Sequence, residues 1–111
     1  FCQMHPVLLR MIKETCDLVR ATPGKRVSLC GEVAGSPLAV PLLMGCGLRF
    51  FSMNPWRIPL VRSVIRAVSM SDCQALLEEA VSCRLDAEVT ALATTFAKKH
   101  GIKGGGLRAQ Q

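Results

Sequence analysis

Apolar and polar residues alternate along the chain in a pattern that predicts a helix, a strand, a helix, a strand and then three helices. In chain order these predicted elements lie at about 6–21, 27–29, 37–44, 48–53, 58–68, 71–82 and 86–99. Helices that alternate with strands and are joined by short loops are typical of a parallel α/β sheet.

Apolar residues in the first predicted helix recur at helical spacing and form a stripe along it. The stripe consists of Val7, Leu8, Met11, Ile12, Thr15, Leu18 and Val19. In the second helix Pro41 is expected to kink or shorten the element. Arg62 and Arg66 share the outer face of the third helix, which is typical of a solvated helix surface, and Ser71 is expected to cap the fourth.

The stretch 26–36 joins the first strand to the second helix by a tight turn that carries a thiol. Side chains alternate along a strand, so Cys30 shares a face with Ser28. Gly31 allows the backbone to turn sharply, and Ser36 before a proline is a typical helix start. In α/β folds the chemistry lies at the carboxyl ends of parallel strands, so Cys30 is the candidate catalytic residue.

Length and composition indicate one globular domain of 111 residues, 50% hydrophobic and 20% charged. The net charge is +6, but the basic residues are scattered along the chain, so we expect no nucleic-acid partner. The most apolar run, 37–51, is shorter than the ~20 residues of a membrane-spanning helix, and no membrane partner is expected. Since the chain begins at Phe1 rather than Met, we expect a piece of a longer protein.

Six cysteines occur without a C-x-x-C pair and without a neighbouring histidine cluster, which argues against zinc and disulfide frameworks. They are Cys2, Cys16, Cys30, Cys46, Cys73 and Cys83. Most lie in apolar segments, where a free cysteine packs as a small hydrophobe. No leader segment is visible, and a reducing cytoplasm is the expected location.

Two strands do not make a stable parallel sheet on their own, because such a sheet is buried on both faces and needs neighbouring strands. We therefore expect this chain to be the end of a larger barrel.

The run 28–35, SLCGEVAG, resembles the C-terminal barrel of the phosphoenolpyruvate–protein phosphotransferases, enzyme I of the bacterial phosphotransferase system. His5-Pro6 with the helix that follows is similar to the preceding helix of that barrel. Residues 37–48 are similar to its next helix, and 51–62 to its last strand and the helix after it. The resemblance covers about 1–99, and the glycine-rich tail is similar to that of the nitrogen-related branch.

This resemblance implies an α/β fold, in which the chain supplies the last two strand–helix units and the terminal helices of a (β/α)8 TIM barrel. Residues 1–99 would belong to the barrel domain and 100–111 to a flexible tail. It implies that Cys30 donates a proton to the enolate of pyruvate, and that Gly31 and Glu32 are candidates for substrate binding. It also implies Mg²⁺ at the barrel mouth, with ligands outside this chain, which therefore contains no metal site of its own.

The expected partners are phosphoenolpyruvate or pyruvate, a histidine-bearing phosphocarrier protein and a second copy of the chain. Which carrier is served, and whether the parent acts in sugar uptake or nitrogen regulation, stays open. This piece alone is expected to be inactive. The alternatives are a fragment of a pyruvate phosphate dikinase or phosphoenolpyruvate synthase, whose barrels use a similar cysteine, and a non-catalytic helical interaction module derived from the barrel.

The remaining conspicuous residues have ordinary structural explanations. Ser36 stands where the family usually has an acidic residue, and it would replace that residue only as a helix cap. Asn54 is expected to form a turn, and His100 to interact with a helix dipole. Neither His5 nor His100 lies in a phosphohistidine motif. The glycines at 104–106 do not form a phosphate loop, because no strand precedes them.

Overall fold

The computed structural model describes residues 4–102, which form five α-helices and two short β-strands. In chain order these are α1 (Pro6–Arg20), β1 (Ser28–Cys30), α2 (Ala39–Cys46), β2 (Phe50–Ser52), α3 (Ile58–Ala67), α4 (Met70–Val81) and α5 (Asp86–Lys99). Short 3-10 helices, Val33–Gly35 and Pro55–Arg57, follow the two strands. The order of elements predicted from the sequence is therefore confirmed. The described part of the chain is mostly helical with a small parallel sheet, which is compatible with an α/β fragment.

The two strands pair in parallel, with Ser28 opposite Phe50, Leu29 opposite Phe51 and Cys30 opposite Ser52. Leu29 is half-buried, whereas its neighbours Ser28 and Cys30 are exposed, so the predicted alternation of faces is confirmed. Because the strands are parallel, their carboxyl ends lie at the same edge of the sheet.

The centre of the described core is the contact of α2 with α4. Helix α2 is buried almost all round, as its composition predicts. Gly45 permits the close packing, because a Cβ at this position would overlap the carbonyl oxygen of Cys73 in α4. Pro41 is the third residue of α2, where its missing N–H costs no intrahelical hydrogen bond. Pro41 in this position gives no physical reason for the predicted kink, and the helix continues to Cys46.

Helix α1 turns only part of its predicted apolar stripe towards this core, since Ile12 packs against the core and both Ile12 and Val19 are half-buried. Val7, Leu8, Met11 and Leu18 are exposed, and the buried residues are Pro6, Leu9 and Cys16. The reason is that α1 packs on α2 and α4 through the side of the helix that carries Leu9 and Cys16, which lies next to the stripe. On this packed side the Arg10 guanidinium donates two hydrogen bonds, of 2.7 and 3.1 Å, to the carbonyl oxygen of Val81 at the end of α4.

The start of α4 corrects one prediction from the sequence. Ser69, not Ser71, is the N-cap, and its hydroxyl accepts a 3.1 Å hydrogen bond from the backbone N–H of Asp72. Ser71 lies inside the first turn, where its hydroxyl is 3.3 Å from that of Ser69. Both serines have the right chemistry for a cap, and the extended backbone at Ser69 decides between them.

The solvated face predicted for α3 is confirmed, since Arg62 and Arg66 are exposed. After α5, Ile102 is buried against the core. Of the tail predicted at 100–111, residues 103–111 lie outside the described range, and the division at residue 99 stays a prediction. No helix within residues 4–102 is both long and apolar enough to cross a membrane.

Candidate active site at the carboxyl ends of the strands

Cys30 is the last residue of β1 and lies beside Ser52, the last residue of β2. The residue is exposed, and its thiol is free. The alternation of the strand causes this exposure, because Leu29 faces the core and its two neighbours face away. The structure thus places the sequence candidate at the open carboxyl edge of the sheet, where a bound molecule could reach it.

The turn after Cys30 depends on a glycine. Gly31 has a φ of +99°, which side chains other than glycine rarely adopt, and no atom lies within 4 Å of the position that a Cβ would occupy. It is therefore the backbone conformation, not crowding, that requires glycine here. Glu32 continues the turn, and its carbonyl accepts a 3.1 Å hydrogen bond from Gly35. The Glu32 carboxylate is exposed and makes no ion pair with any residue of the described range.

Ser36 connects this turn to α2 and is buried. Its hydroxyl accepts a 3.4 Å hydrogen bond from the N–H of Ala39, and its carbonyl accepts from Ala39 and Val40. The Ser36 hydroxyl therefore accepts from a backbone N–H at the start of α2, as predicted, but the helix begins at Ala39, and its N-cap residue is Leu38 rather than Ser36. A serine in this position therefore orders the end of the turn without supplying a charge.

Arg57 brings a cation to the same edge, and the sequence analysis missed it. Its side chain crosses Gly35, with Nε 3.3 Å from the position that a Cβ on Gly35 would occupy. The guanidinium carbon lies 5.1 Å from the ring centroid of Trp56, and within residues 4–102 the guanidinium forms no ion pair. The available signal was a small residue next to a turn, but the sequence alone does not say which distant side chain covers it.

Asn54 lies nearby, and its role is to form a backbone turn. Its carbonyl accepts a 2.9 Å hydrogen bond from the N–H of Arg57, and its side chain caps no helix. The prediction that Asn54 forms a turn is therefore confirmed. Trp56, in the 3-10 helix after it, is 68% exposed.

The other described cysteines differ from Cys30 in their surroundings. Cys16, Cys46 and Cys73 are buried and free, as predicted for packing residues. Burial is the main cause that raises the pKa of Cys46 to about 12 and that of Cys73 to about 11. Burial also raises the pKa of the half-buried Cys83, with Glu88 and Glu79 adding to the effect. The thiols of Cys16, Cys46 and Cys73 are therefore shielded from a substrate, whereas that of Cys83 is only half-buried.

Both described histidines have structural partners away from this edge. The Nδ1 atom of His5 accepts a 3.1 Å hydrogen bond from the N–H of Val7 and caps α1. At the end of α5, His100 is 3.0 Å from the carbonyl of Phe96 through Nδ1 and 3.1 Å from the carboxylate of Asp72 through Nε2. The hydrogen bond from His100 is the main cause that lowers the pKa of Asp72. The contact with Asp72 was not predicted.

The Mg²⁺ implied by the resemblance finds no set of ligands in this part of the chain. Nowhere in residues 4–102 do three or more histidine, cysteine, aspartate or glutamate side chains converge as a metal ion requires. We therefore derive no chemical step through a metal from these residues.

Comparison with known proteins gives concordant matches. Residues 1–70 match the model of the PEP-binding domain of PEP-utilising enzymes. The phosphoenolpyruvate-protein phosphotransferase of Staphylococcus carnosus is 38% identical over 94 residues, which is 85% of this chain and 16% of that protein. The multiphosphoryl transfer protein 1 of Escherichia coli is 36% identical over 98 residues, 88% of this chain and 12% of that protein.

A third relative is the phosphoenolpyruvate-protein phosphotransferase of Haemophilus influenzae, 35% identical over 99 residues. That alignment covers 89% of this chain and 17% of the relative, so the chain spans about a sixth of the length of the relative. The family match covers more than half of the chain and includes the whole Cys30 turn, both strands and Arg57. This chain therefore belongs to the family of PEP-utilising enzymes and contains part of their PEP-binding domain.

Proposed function

We propose that this chain is part of a phosphoenolpyruvate–protein phosphotransferase and that Cys30 is the proton donor to the enolate of pyruvate. The observation that carries this proposal is the exposed, free thiol of Cys30 at the carboxyl end of β1, in a turn that resembles the cysteine turn of the family. Of the described cysteines, Cys30 is the only fully exposed one, and it lies at the edge where parallel sheets bind ligands.

The proposed proton transfer follows the loss of the phosphoryl group. Loss of the phosphoryl group from phosphoenolpyruvate to a protein histidine leaves the enolate of pyruvate. The thiol of Cys30 gives its proton to the methylene carbon, a new C–H bond forms, the enolate collapses to the ketone, and the thiolate regains a proton from solvent. An ordinary cysteine thiol is mostly protonated at neutral pH and can act as a general acid. In the reverse direction the thiolate removes the same proton.

Arg57 supports an anionic substrate at this site. Phosphoenolpyruvate carries a carboxylate and a phosphate, and a guanidinium binds either group through paired hydrogen bonds. Arg57 reaches the turn after Cys30, and its guanidinium makes no ion pair with another described residue that would hold it elsewhere. We assign Arg57 the role of a substrate-binding cation, and Gly31 and Glu32 the role of shaping the turn next to the substrate.

The remainder of the proposed assembly lies outside this chain. We place these elements in the last two strand–helix units of a (β/α)8 barrel, because the two described strands lack the neighbours that a parallel sheet needs. The exposed apolar stripe of α1 supports this placement, since preceding parts of a barrel would cover it. Mg²⁺, when bound by residues elsewhere in the protein, would neutralise charge on the phosphate and carboxylate. A histidine-bearing carrier, a homodimer and a cytoplasmic location belong to the same proposal.

The names of the reported relatives favour a protein phosphotransferase over a pyruvate phosphate dikinase or a phosphoenolpyruvate synthase. An exposed thiol on the sheet edge likewise favours a catalytic role over a purely helical interaction module. Neither the carrier protein nor the choice between sugar uptake and nitrogen regulation is assigned by these residues.

The test is Cys30→Ala in the full-length protein that contains this chain, with Cys83→Ala as the matched control. We expect phosphoryl turnover from phosphoenolpyruvate to fall about 10²- to 10⁴-fold, which is the usual contribution of a general acid. With phosphoenolpyruvate that carries tritium stereospecifically at C3, turned over in deuterated solvent, we also expect the chiral methyl group of the released pyruvate to lose its stereochemical purity. Wild-type turnover and wild-type stereochemistry in Cys30→Ala would mean that Cys30 is only a packing residue. Equal losses in both variants would mean that the effect is not specific to this site.

A further inference from the structure

Four basic residues converge at the opposite, amino-terminal edge of the two strands. Arg20 ends α1, Lys25 and Arg26 precede β1, and Arg49 immediately precedes β2. All four line one small cavity, together with Gly47 and Phe50 and other neighbours. In the sequence these cations are separated by up to 29 positions, and the parallel pairing of the strands brings them together. We call Arg20, Lys25, Arg26 and Arg49 the amino-end cluster.

Little negative charge balances the amino-end cluster. Arg20 lies 3.5 Å from the carboxylate of Asp17, but that carboxylate is also 2.9 Å from the ammonium group of Lys13. None of the other three cations makes an ion pair within residues 4–102. The four positive charges line the same cavity and repel each other, so a bound anion reduces the electrostatic repulsion between them.

The surroundings of Arg26 and Arg20 favour the binding of an anion. The guanidinium carbon of Arg26 lies 4.9 Å from the ring centroid of Phe50, which restrains it by a cation–π interaction. Gly47 has a φ of +106°, and a Cβ on it would lie 2.5 Å from Nη2 of Arg20. The absence of a side chain at residue 47 thus leaves the Arg20 guanidinium room beside the cavity. A partly ordered set of donors loses less conformational entropy when an anion binds.

We propose that the amino-end cluster is a binding site for a small, multiply charged phosphorylated anion. The cavity has a volume of about 170 Å³. That is below the ~300–1,000 Å³ of pockets for drug-sized ligands but exceeds the ~30 Å³ that one water molecule fills, so one or two phosphoryl groups fit. Arginine and lysine are the usual ligands of phosphate.

This site is separate from the site at Cys30. β1 is three residues long, and at ~3.3 Å per residue its two ends are roughly 7–10 Å apart. An anion held by Arg26 and Arg49 at one end therefore does not touch the thiol at the other. The proposal does not depend on the proposed function, because it requires only the cations and the cavity.

The test is calorimetric titration of the full-length protein with inorganic pyrophosphate at constant ionic strength. The variants are Arg26→Gln/Arg49→Gln, Arg62→Gln as a charge-matched control on α3, and Arg57→Gln to reveal binding at the other edge. We expect the dissociation constant to rise at least tenfold in the double variant, since a hydrogen bond to a charged group contributes this much. We expect wild-type affinity in Arg62→Gln, and Arg57→Gln identifies any separate binding event at the Cys30 edge.

Four outcomes of the pyrophosphate titration would overturn the proposal. They are no measurable binding to the wild type, equal affinity in wild type and double variant, an equal loss in Arg62→Gln, and loss of binding only in Arg57→Gln. Tighter binding of a single-stranded RNA with the same dependence on Arg26 and Arg49 would replace the small anion by a nucleic acid, and also overturn it. If circular dichroism shows that the double variant is unfolded, the single variant Lys25→Gln, in the exposed loop, tests the proposal instead. Its affinity for pyrophosphate should be about fivefold lower than that of the wild type.

Discussion

The side chain of Arg57 lies across Gly35, with Nε 3.3 Å from where a Cβ on residue 35 would stand. The two residues are 22 positions apart, on the turns that follow β1 and β2. This contact brings a guanidinium from the second turn to the first, within the same edge of the sheet as Cys30. The guanidinium of one strand–helix unit thus lies against the backbone of the unit before it.

Replacing Gly35 with alanine tests this contact. In Gly35→Ala the methyl group shifts the Arg57 side chain slightly, and on the proposed function we expect a higher KM for phosphoenolpyruvate in the full-length protein. The free energy of unfolding should change by less than about 1 kcal/mol, because φ at Gly35 is not positive and alanine fits the backbone. Steady-state kinetics and chemical denaturation measure the two effects separately.

The matched variants are Arg57→Gln and Arg62→Gln. Arg57→Gln should raise the KM about tenfold, the contribution of a charge-assisted hydrogen bond, and Gly35→Ala should add nothing further in that background. Arg62→Gln removes an equal charge from the exposed face of α3 and should leave the KM unchanged. Additive effects of Gly35→Ala and Arg57→Gln would show that the contact does not position the guanidinium.

Gly31 provides a second test, of the backbone turn itself. Gly31→Ala places a side chain at a φ of +99°, with no neighbouring atom to obstruct it, so the cost is purely conformational. We expect a loss of about 1–2 kcal/mol in the free energy of unfolding and a lower turnover, because Cys30 shifts with the turn.

Gly24 offers the control for this variant, since its φ is +78° and its Cβ position is equally open. Gly24→Ala should cost similar stability at the end of α1 but leave turnover unchanged. If Gly31→Ala is destabilised but fully active, the conformation of this turn does not contribute to catalysis. Urea denaturation and phosphoryl-transfer assays on the same preparations distinguish these results.

The hydrogen bond between Asp72 and His100 predicts a dependence of stability on acid pH. His100 is the main cause, and Ser69 the second, of the lowered pKa of Asp72 in the folded state. A carboxylate with a lowered pKa stabilises the fold above its unfolded pKa of ~3.9, and this contribution disappears as pH falls through the folded pKa. The wild type should therefore lose stability below pH ~4, and Asp72→Asn should lose less.

His100→Gln is the matched variant, because it removes the main cause of the shift while keeping the Asp72 carboxylate. The double variant Asp72→Asn/His100→Gln should show the same acid-side loss as Asp72→Asn. Denaturant unfolding at a series of pH values from 6 to 2.5 provides the measurement. Identical acid-side curves for wild type and Asp72→Asn would mean that the contact does not form in solution.

Differences in burial predict which cysteine reacts first with a thiol reagent. Cys30 is exposed, whereas burial raises the pKa of Cys46 to about 12 and that of Cys73 to about 11 and so suppresses their thiolate forms. At pH 8, in a Cys2→Ser background, N-ethylmaleimide should modify Cys30 before the other cysteines. Peptide mass spectrometry over time identifies the site. Earlier modification of Cys46 or Cys73 would mean that α2 and α4 open.

The sequence by itself determined the elements and the position of Cys30. Helical spacing, the breakers at 22–24 and the alternation around Leu29 are local properties of the chain, and local sterics and hydrogen bonding decide them. For the same reason the hydrogen bond from Ala39 to the Ser36 hydroxyl and the need for glycine at residue 31 could be predicted, because each involves neighbours within three positions.

Only the tertiary structure decided which side of α1 is buried and which charges meet. The apolar stripe of α1 has helical spacing, but the choice of buried line depends on how α2 and α4 pack against it. Arg57 lies over Gly35, and Arg26 and Arg49 line one cavity, because the parallel pairing of the two strands brings together segments more than twenty positions apart. Spacing along a chain determines which residues share a face, whereas packing between elements determines which face is buried and which side chains meet.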